Sequence, residues 1–233
     1  MNYVLELSNV WFKYEVRSPW VLRGIKLRVR EGEVIFILGS NGVGKTTLLK
    51  VISGLLKPQR GVVKVMGKEL NGVIPRFIGF SFQNPVHQFC FETVEDELSN
   101  VLRLNGYNDI EGRVNETLEL FGLEGVRRRS PFTLSSGEMR LLSIALAFIH
   151  NPLIMLLDEP FTNLDIDQIE YIVSLINRLR RQGRTLVITS TTQYEYVFEL
   201  MGDVSTYILR NGELINAGTK TEKQSLMVRI PCT

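Results

Sequence analysis

The residues best suited to chemistry in this chain form one glycine-rich segment. The segment follows the apolar run 34–38 and consists of Gly39, Ser40, Asn41, Gly42, Val43, Gly44, Lys45, Thr46 and Thr47. Glycines let such a backbone curl with its N–H groups facing inward, and a following helix adds the positive end of its dipole. In this pattern the lysine reaches the β- and γ-phosphates of a nucleotide, and the first threonine ligates Mg²⁺. We therefore predict that residues 39–47 bind ATP, with Lys45 as a catalytic group and Thr46 as a metal ligand.

A second candidate group follows the apolar run 153–157, where Asp158 and Glu159 are adjacent. Beside a phosphate loop, an aspartate at a strand end typically holds the Mg²⁺ shell. A neighbouring carboxylate can accept a proton from the attacking water, so Glu159 is the candidate general base. An acidic turn after a core strand is the simpler alternative, but the phosphate loop argues against it. Together, the two groups favour ATP hydrolysis over nucleotide binding alone.

Strand-like and helix-like patterns alternate along the chain, which predicts an α/β fold with a largely parallel sheet. Apolar runs predict strands at 34–38, 62–66, 153–157 and 186–189, and helices at 46–52 and 141–149. A further helix is predicted before Gly183 from the helical spacing of Ile169, Ile172, Val173, Ile176 and Leu179. Residues 92–130 are polar and helix-patterned, which indicates a helical subdomain inserted into the α/β core.

Composition narrows the class of protein. The chain has 233 residues, is 44% hydrophobic and carries a net charge of +2, so nothing suggests a nucleic-acid partner. Its two cysteines, Cys90 and Cys232, match no metal spacing and are expected to be free thiols in a reducing compartment. Residues 1–10 lack a secretion-signal pattern, and no run approaches the roughly 18 apolar residues of a membrane helix. We expect this protein to serve a membrane, if at all, from the water side.

The segment Leu134-Ser135-Ser136-Gly137-Glu138 resembles the signature of the ATP-binding cassette (ABC) family, and the resemblance covers essentially the whole chain. It implies a single ABC-type P-loop NTPase domain over residues 1–233, with a RecA-like core, an antiparallel β subdomain and a helical subdomain at about 84–150. In chemical terms, a serine and small residues at a helix start offer donors to an anion. An ordinary Ser135 N-cap with Glu138 completing a capping box is the alternative, and both can hold at once.

The resemblance also implies roles for individual residues. Residues Ser135, Ser136, Gly137 and Glu138 of one subunit would cover the γ-phosphate on the phosphate loop of another, so that a head-to-tail pair holds two ATP molecules. Tyr14 resembles the aromatic residue that stacks on adenine, and Gln83 resembles the glutamine that contacts Mg²⁺ or water. Asp165 is the acidic member of a loop that joins the two sites.

One position departs from the family pattern. Thr191 stands where the family usually has a histidine that contacts the γ-phosphate, and neither His87 nor His150 can substitute by position. A threonine hydroxyl can donate a hydrogen bond but is shorter and carries no positive charge. We predict normal ATP binding with slower hydrolysis. The alternative is a cassette that hardly turns over and leaves catalysis to a non-identical mate.

Spacing restricts the branch of the family. Residues 46–133, between Lys45 and the signature, contain no heptads, unlike repair and chromosome ATPases, and the single cassette differs from translation factors. A transporter ATPase therefore remains, with a non-transport ATPase as the alternative. Segments 83–89 and 93–98 resemble the energy-coupling-factor branch, which imports vitamins or cobalt and nickel ions.

The resemblance places this chain at the cytoplasmic face of the membrane as a peripheral subunit. It implies a second ATPase subunit, identical or not, and an integral membrane subunit that docks near Gln83 to Glu97. The aromatic residues in and directly before that segment are Phe82, Phe89 and Phe91. A docking groove and the core of the helical lobe explain them equally well.

Overall fold

The computed structural model describes residues 3–70, 75–194, 197, 200–202 and 204–218, so Cys232 lies outside the described residues. The strands are β1 (Tyr3–Phe12), β2 (Leu22–Arg30), β3 (Val34–Leu38), β4 (Arg60–Val65), β5 (Lys68–Glu69), β6 (Ile78–Ser81), β7 (Ile154–Asp158), β8 (Thr185–Ser190), β9 (Ser205–Arg210) and β10 (Glu213–Gly218). The α-helices are α1 (Lys45–Ile52), α2 (Val94–Leu104), α3 (Ile110–Phe121), α4 (Ser136–Phe148) and α5 (Ile166–Arg181).

Two sheets organise these elements. The larger has the order β10-β9-β3-β8-β7-β6, and all its strand pairs are parallel except β10 with β9. The smaller is antiparallel, with the order β2-β1-β4-β5. The predicted α/β fold with a largely parallel sheet is therefore confirmed.

The central strands are largely apolar because both faces of the larger sheet are covered. Along β3, Val34, Phe36 and Leu38 belong to one hydrophobic cluster, which α2 to α5 help to build. Ile35 and Ile37 belong to a second cluster, shared with α1 and the smaller sheet. Strands buried on both faces are mostly apolar, which explains why β3 is an unbroken apolar run and why β7 is apolar up to Asp158.

Strand β3 has the predicted bounds, whereas the other predicted strands and helices are found with shifted ends. Strand β4 stops at Val65 because Met66 takes the hairpin turn with a φ of +50°. Helix α4 begins five residues before the predicted start, within the signature itself. The apolar positions predicted for α5 are buried, and Gly183 follows the helix with a φ of +80°. In the described ranges, no helix is both long enough and apolar enough to cross a membrane.

Candidate active site

The glycine-rich segment turns sharply between β3 and α1. Gly42 and Gly44 have φ angles of +76° and +109°, which residues with a side chain rarely adopt. A Cβ on Gly39 would lie 2.8 Å from the Leu209 carbonyl oxygen. Helix α1 begins after Gly44 without a capping side chain, so its first N–H groups have no side-chain acceptor among the described residues. This geometry suits an anion at the helix start.

Lys45 and Glu159 form a buried ion pair in this site. The Lys45 Nζ atom lies 2.9 Å from Glu159 Oε1, and the two side chains are only 3% and 7% exposed. The same ammonium group donates to the carbonyl oxygens of Gly39 at 2.8 Å and Ser40 at 3.0 Å. The predicted phosphate-binding lysine and the predicted base are therefore in direct contact.

Thr189 on β8 fixes the two acidic residues at the end of β7. Its hydroxyl donates to Asp158 Oδ1 at 2.7 Å and accepts from the Glu159 N–H at 3.0 Å. Glu159 has a φ of +48°, so the strand turns abruptly there. Sequence analysis missed Thr189, although a polar residue inside the apolar run 186–189 was a usable signal.

Asp158 is fully buried and carries an oxygen, Oδ2, that lacks a hydrogen-bond partner among the described residues. Burial raises the pKa of this carboxyl, and the charge of Glu159 raises it further. Interaction with the Thr46 and Thr189 hydroxyls and with Lys45 opposes the rise in pKa. Asp158 and Thr46 are thus neighbours, as expected for residues that share one cation.

Gln83 and Thr162 complete the surroundings of Glu159. Gln83 Nε2 donates to Glu159 Oε2 at 3.1 Å, and the Thr162 hydroxyl donates to the same oxygen at 3.3 Å. Thr191 directly follows β8, and its buried hydroxyl has no hydrogen-bond partner in the described part of the chain. The cluster lies at the carboxyl ends of parallel strands, where open α/β sheets bind ligands.

Arg140 is a residue of this site that sequence analysis missed. It is 4% exposed on α4, and its guanidinium donates to the carbonyl oxygens of Phe82 at 2.9 Å and Gln83 at 2.8 Å. Burial lowers the pKa of Arg140 to about 10, while the charges of Asp158 and Glu159 act in the opposite direction. A basic residue on the buried face of an apolar helix was the signal.

Tyr14 lies beside the phosphate loop. Its hydroxyl is 2.9 Å from the Thr47 hydroxyl, and the residue is 59% exposed. The two histidines are elsewhere: His87 Nε2 lies 3.3 Å from Asn84 Nδ2, and a His150 ring nitrogen lies 3.3 Å from the Ile78 carbonyl oxygen.

Among the described residues, the signature makes no hydrogen bond to the phosphate loop. Ser135 caps α4, and Glu138 completes the capping box, with distances of 3.2 Å from Glu138 N to Ser135 Oγ and 2.8 Å from Ser135 N to Glu138 Oε2. Asp165 caps α5 in the same way with Gln168. Within the residues described, no hydrogen bond or ion pair joins these caps to the loop 39–47.

Comparison with known proteins places this arrangement in a family. A family model described as ABC transporter matches residues 22–162. EcfA1 of Enterococcus faecalis, an energy-coupling factor transporter ATP-binding protein, is 34% identical over 227 residues, which are 94% of this chain and 80% of that protein. This chain belongs to the ABC transporter family.

Solved structures agree with this assignment. The cassette superposes on cbiO1 from Clostridium perfringens, part of the ABC transporter complex cbiONQ, with a TM-score of 0.83, 26% identity, and coverage of 97% and 92% of the two chains. It also matches the dimeric ATP-binding cassette MJ0796 bound to ADP and Pi, with a TM-score of 0.80, 28% identity, and coverage of 90% and 96%. The cassette is thus an ATP-binding subunit of the ABC transporter type, a family of ATPases.

Proposed function

We propose that this cassette is a Mg²⁺-dependent ATPase that works as a head-to-tail pair and drives transport through a membrane partner. The observation that carries the proposal is the meeting of Lys45, Gln83 and Glu159 in front of the uncapped start of α1. Cation, amide, carboxylate and free helix N–H groups are the groups that phosphoryl transfer to water requires. They come from three separate segments of the chain.

ATP would bind along residues 39–47, where its phosphate oxygens would accept hydrogen bonds from backbone N–H groups, Lys45 and the Thr46 and Thr47 hydroxyls. The terminal phosphates compete with Glu159 for Lys45, because one ammonium group now serves that carboxylate at 2.9 Å. Binding would therefore release Glu159, which then accepts the proton of the attacking water while Gln83 holds its Oε2 atom.

The residues present fit a Mg²⁺ ion. The unpartnered Asp158 Oδ2, the Thr46 hydroxyl and the Gln83 amide oxygen are hard oxygen donors of the kind that Mg²⁺ prefers. Among the described residues, no group of three or more His, Cys, Asp or Glu side chains could hold a metal alone, so the nucleotide phosphates would supply further ligands. When bound, the ion neutralises charge on the phosphates.

The second half of each site would come from another subunit. Ser135 and Ser136 are exposed, Glu138 is partly exposed, and all are available to a partner's bound nucleotide. In this pair the Tyr14 ring would stack on adenine, and Asp165 would lie in the loop that joins the two sites. The homologous cassette MJ0796 is dimeric with ADP and Pi bound, which supports the proposal.

A membrane subunit would dock near Gln83 to Glu97, in the helical subdomain that we place at about 84–150 of a single domain. Val86 and Phe91 there are exposed, whereas Phe89 is buried and serves the core. Similarity to EcfA1 supports an energy-coupling-factor role, in which the cassette sits on the cytoplasmic face and powers import of a vitamin or a metal ion.

Two variants test the proposal. Lys45→Ala is expected to weaken Mg²⁺–ATP binding at least about 100-fold, because the lysine and two or more phosphate oxygens interact in the bound state. Glu159→Gln is expected to keep binding and lower turnover about 100-fold or more. Full ATP affinity in Lys45→Ala refutes the site. Equal, background ATPase rates for the unaltered chain and Glu159→Gln indicate instead a passive cassette beside an active mate.

A further inference from the structure

The loop that carries Tyr14 is exposed but firmly attached. Tyr14 is 59% exposed and Val16 is 87% exposed. The loop is nevertheless closed at its base, where the Val21 N–H donates to the Phe12 carbonyl oxygen at 2.9 Å. At its tip, the Ser18 hydroxyl exchanges hydrogen bonds of 2.9 Å with the backbone N–H and carbonyl of Glu15. The loop therefore has a defined conformation.

Gln59 holds the residue directly before Tyr14. Its side chain donates to the Lys13 carbonyl oxygen at 2.8 Å and accepts from the Lys13 N–H at 3.0 Å. The Gln59 backbone N–H donates to the Trp11 carbonyl oxygen at 3.0 Å. The Gln59 side-chain amide thus satisfies both the backbone N–H and the backbone carbonyl of Lys13, as the backbone of a neighbouring strand would. It fixes the direction in which the backbone continues to Tyr14.

The residue after Gln59 supports the far end of the same loop. The Trp20 ring lies 5.4 Å from the Arg60 guanidinium and 4.9 Å from the Lys13 ammonium group, and it packs edge-to-face against Trp11 at 5.4 Å. Such cation–π contacts contribute modestly at exposed sites. Segment 59–60 thus contacts both ends of the Tyr14 loop.

The Tyr14 ring itself is held on two sides. Phe12 packs edge-to-face against it at 5.1 Å between ring centroids, and the Tyr14 hydroxyl is hydrogen-bonded to Thr47. Most of the residue remains exposed. A ring that is fixed before the ligand arrives loses less conformational entropy on stacking, which favours binding.

We infer that Gln59 is a positioning residue for the nucleobase: by clamping Lys13, it holds the Tyr14 ring where adenine stacks. This inference rests on the proposed function, in which Tyr14 is the base-stacking residue. Gln59 contacts none of the phosphate-binding residues by hydrogen bond in the part of the chain that is described. Its influence is therefore confined to ligands that carry a base.

The test compares ATP with tripolyphosphate, both with Mg²⁺, by calorimetric titration of the full chain. Stacking of one aromatic pair is worth up to about tenfold in affinity, which is the loss expected for Tyr14→Ala with ATP. Gln59→Ala should weaken ATP about threefold and leave tripolyphosphate affinity unchanged. Gln59→Glu keeps the acceptor for the Lys13 N–H and should lose less. Gln182→Ala, an exposed glutamine after α5, is the matched control, and melting temperatures verify folding.

A double-variant cycle completes the test. In a Tyr14→Ala chain, adding Gln59→Ala should have no further effect on ATP affinity. The inference is wrong if Gln59→Ala leaves ATP affinity unchanged, weakens tripolyphosphate equally, or still weakens ATP when Tyr14 is absent. A Tyr14→Ala chain that binds ATP as tightly as the unaltered chain refutes base stacking itself. If the unaltered chain binds neither ATP nor tripolyphosphate, the proposed function itself is refuted.

Discussion

Helices α1 and α4 both begin at predicted phosphate-binding motifs, yet their first turns are built differently. Helix α1 starts after Gly44 with no capping side chain and no acidic residue. Helix α4 starts after Ser135 with a complete capping box and with Glu138 in its first turn. The start of α1 also has a buried cation, Lys45, whereas Ser135 and Ser136 are exposed.

The difference is consistent with separate roles for the two motifs in the proposed pair. Among the described residues, the N–H groups at the start of α1 have no side-chain acceptor, so they are free to donate hydrogen bonds to phosphate oxygens directly. At α4, the Ser135 N–H is already bonded to Glu138, and the Glu138 N–H is already bonded to Ser135. Helix α4 is therefore stable without a ligand. In the proposed pair, its exposed serines would face a phosphate bound by the partner subunit.

The largest difference between the two helix starts should be in stability. Lys45→Ala is expected to lower the free energy of unfolding by about 3–5 kcal/mol, because it leaves Glu159 buried without its cation. Adding Glu159→Gln should recover much of that loss. Urea unfolding without nucleotide measures both, with Lys50→Ala on the same helix as the control. A loss below about 1 kcal/mol for Lys45→Ala would contradict the buried ion pair.

The link between α4 and the catalytic cluster can be broken at Arg140. Arg140→Met removes two donors to the backbone of Phe82 and Gln83, so Gln83 should no longer be held beside Glu159. We expect turnover to fall about tenfold, since small misplacements of catalytic groups are costly. ATP affinity should change less than about twofold. Arg140→Lys, which has a compact ammonium group in place of the forked guanidinium, should restore only part of the turnover. An equal loss of affinity and turnover would argue against a positioning role.

The capping box predicts a smaller effect for the signature serine. Ser135→Ala should cost about 1 kcal/mol of stability, because the Glu138 N–H loses its acceptor. A second chain with an intact signature should restore part of the ATPase activity that Ser135→Ala loses. Mixing Ser135→Ala chains with inactive Lys45→Ala chains should restore part of the activity, since one site then combines an intact phosphate loop with an intact signature. If activity is not restored, either the signature and the phosphate loop of one active site lie in the same subunit, or the pair requires a non-identical mate.

Substitution of Thr191 tests whether the proposed active site lacks a histidine. The Thr191 hydroxyl is buried next to the end of β8 without a partner among the described residues. A histidine there could reach further and carry a proton, so Thr191→His is expected to raise turnover at saturating ATP at least about threefold. Thr191→Ser, which keeps the hydroxyl, is the control. Unchanged turnover in Thr191→His would mean that the imidazole is not the missing element.

The smallest effect concerns the charge at the start of α4. The Ser135 N–H lowers the pKa of Glu138 below its usual value of 4.5, so the folded chain holds fewer protons there than the unfolded chain. Glu138 therefore adds stability at neutral pH that is lost as the pH falls through the folded pKa. Relative to Glu138→Gln, which keeps the hydrogen bond, the advantage should be about 0.5 kcal/mol at pH 7 because the charge is partly exposed. The urea midpoints of the two chains should converge as the pH falls through the folded pKa of Glu138, whereas a constant gap would exclude a charge effect.

Much of the fold was predictable from local patterns. Buried strand β3 is an unbroken apolar run, β7 is apolar up to Asp158, and α5 carries its apolar residues at helical spacing. Strands β1 and β2 were not predicted from the residues themselves. Their alternation is interrupted by register shifts, as at Leu7 to Val10, which weaken a period-two signal.

By itself, the sequence determined the phosphate loop, the acidic pair and the capping box at Ser135, because each depends on residues within a few positions of one another. Only the tertiary structure decided that Lys45 pairs with Glu159, that Thr189 fixes Asp158, and that Gln59 clamps Lys13. These contacts join residues far apart in the chain. Whether such residues meet depends on the order in which strands enter the sheet and on how helices pack across it, and no local pattern encodes either.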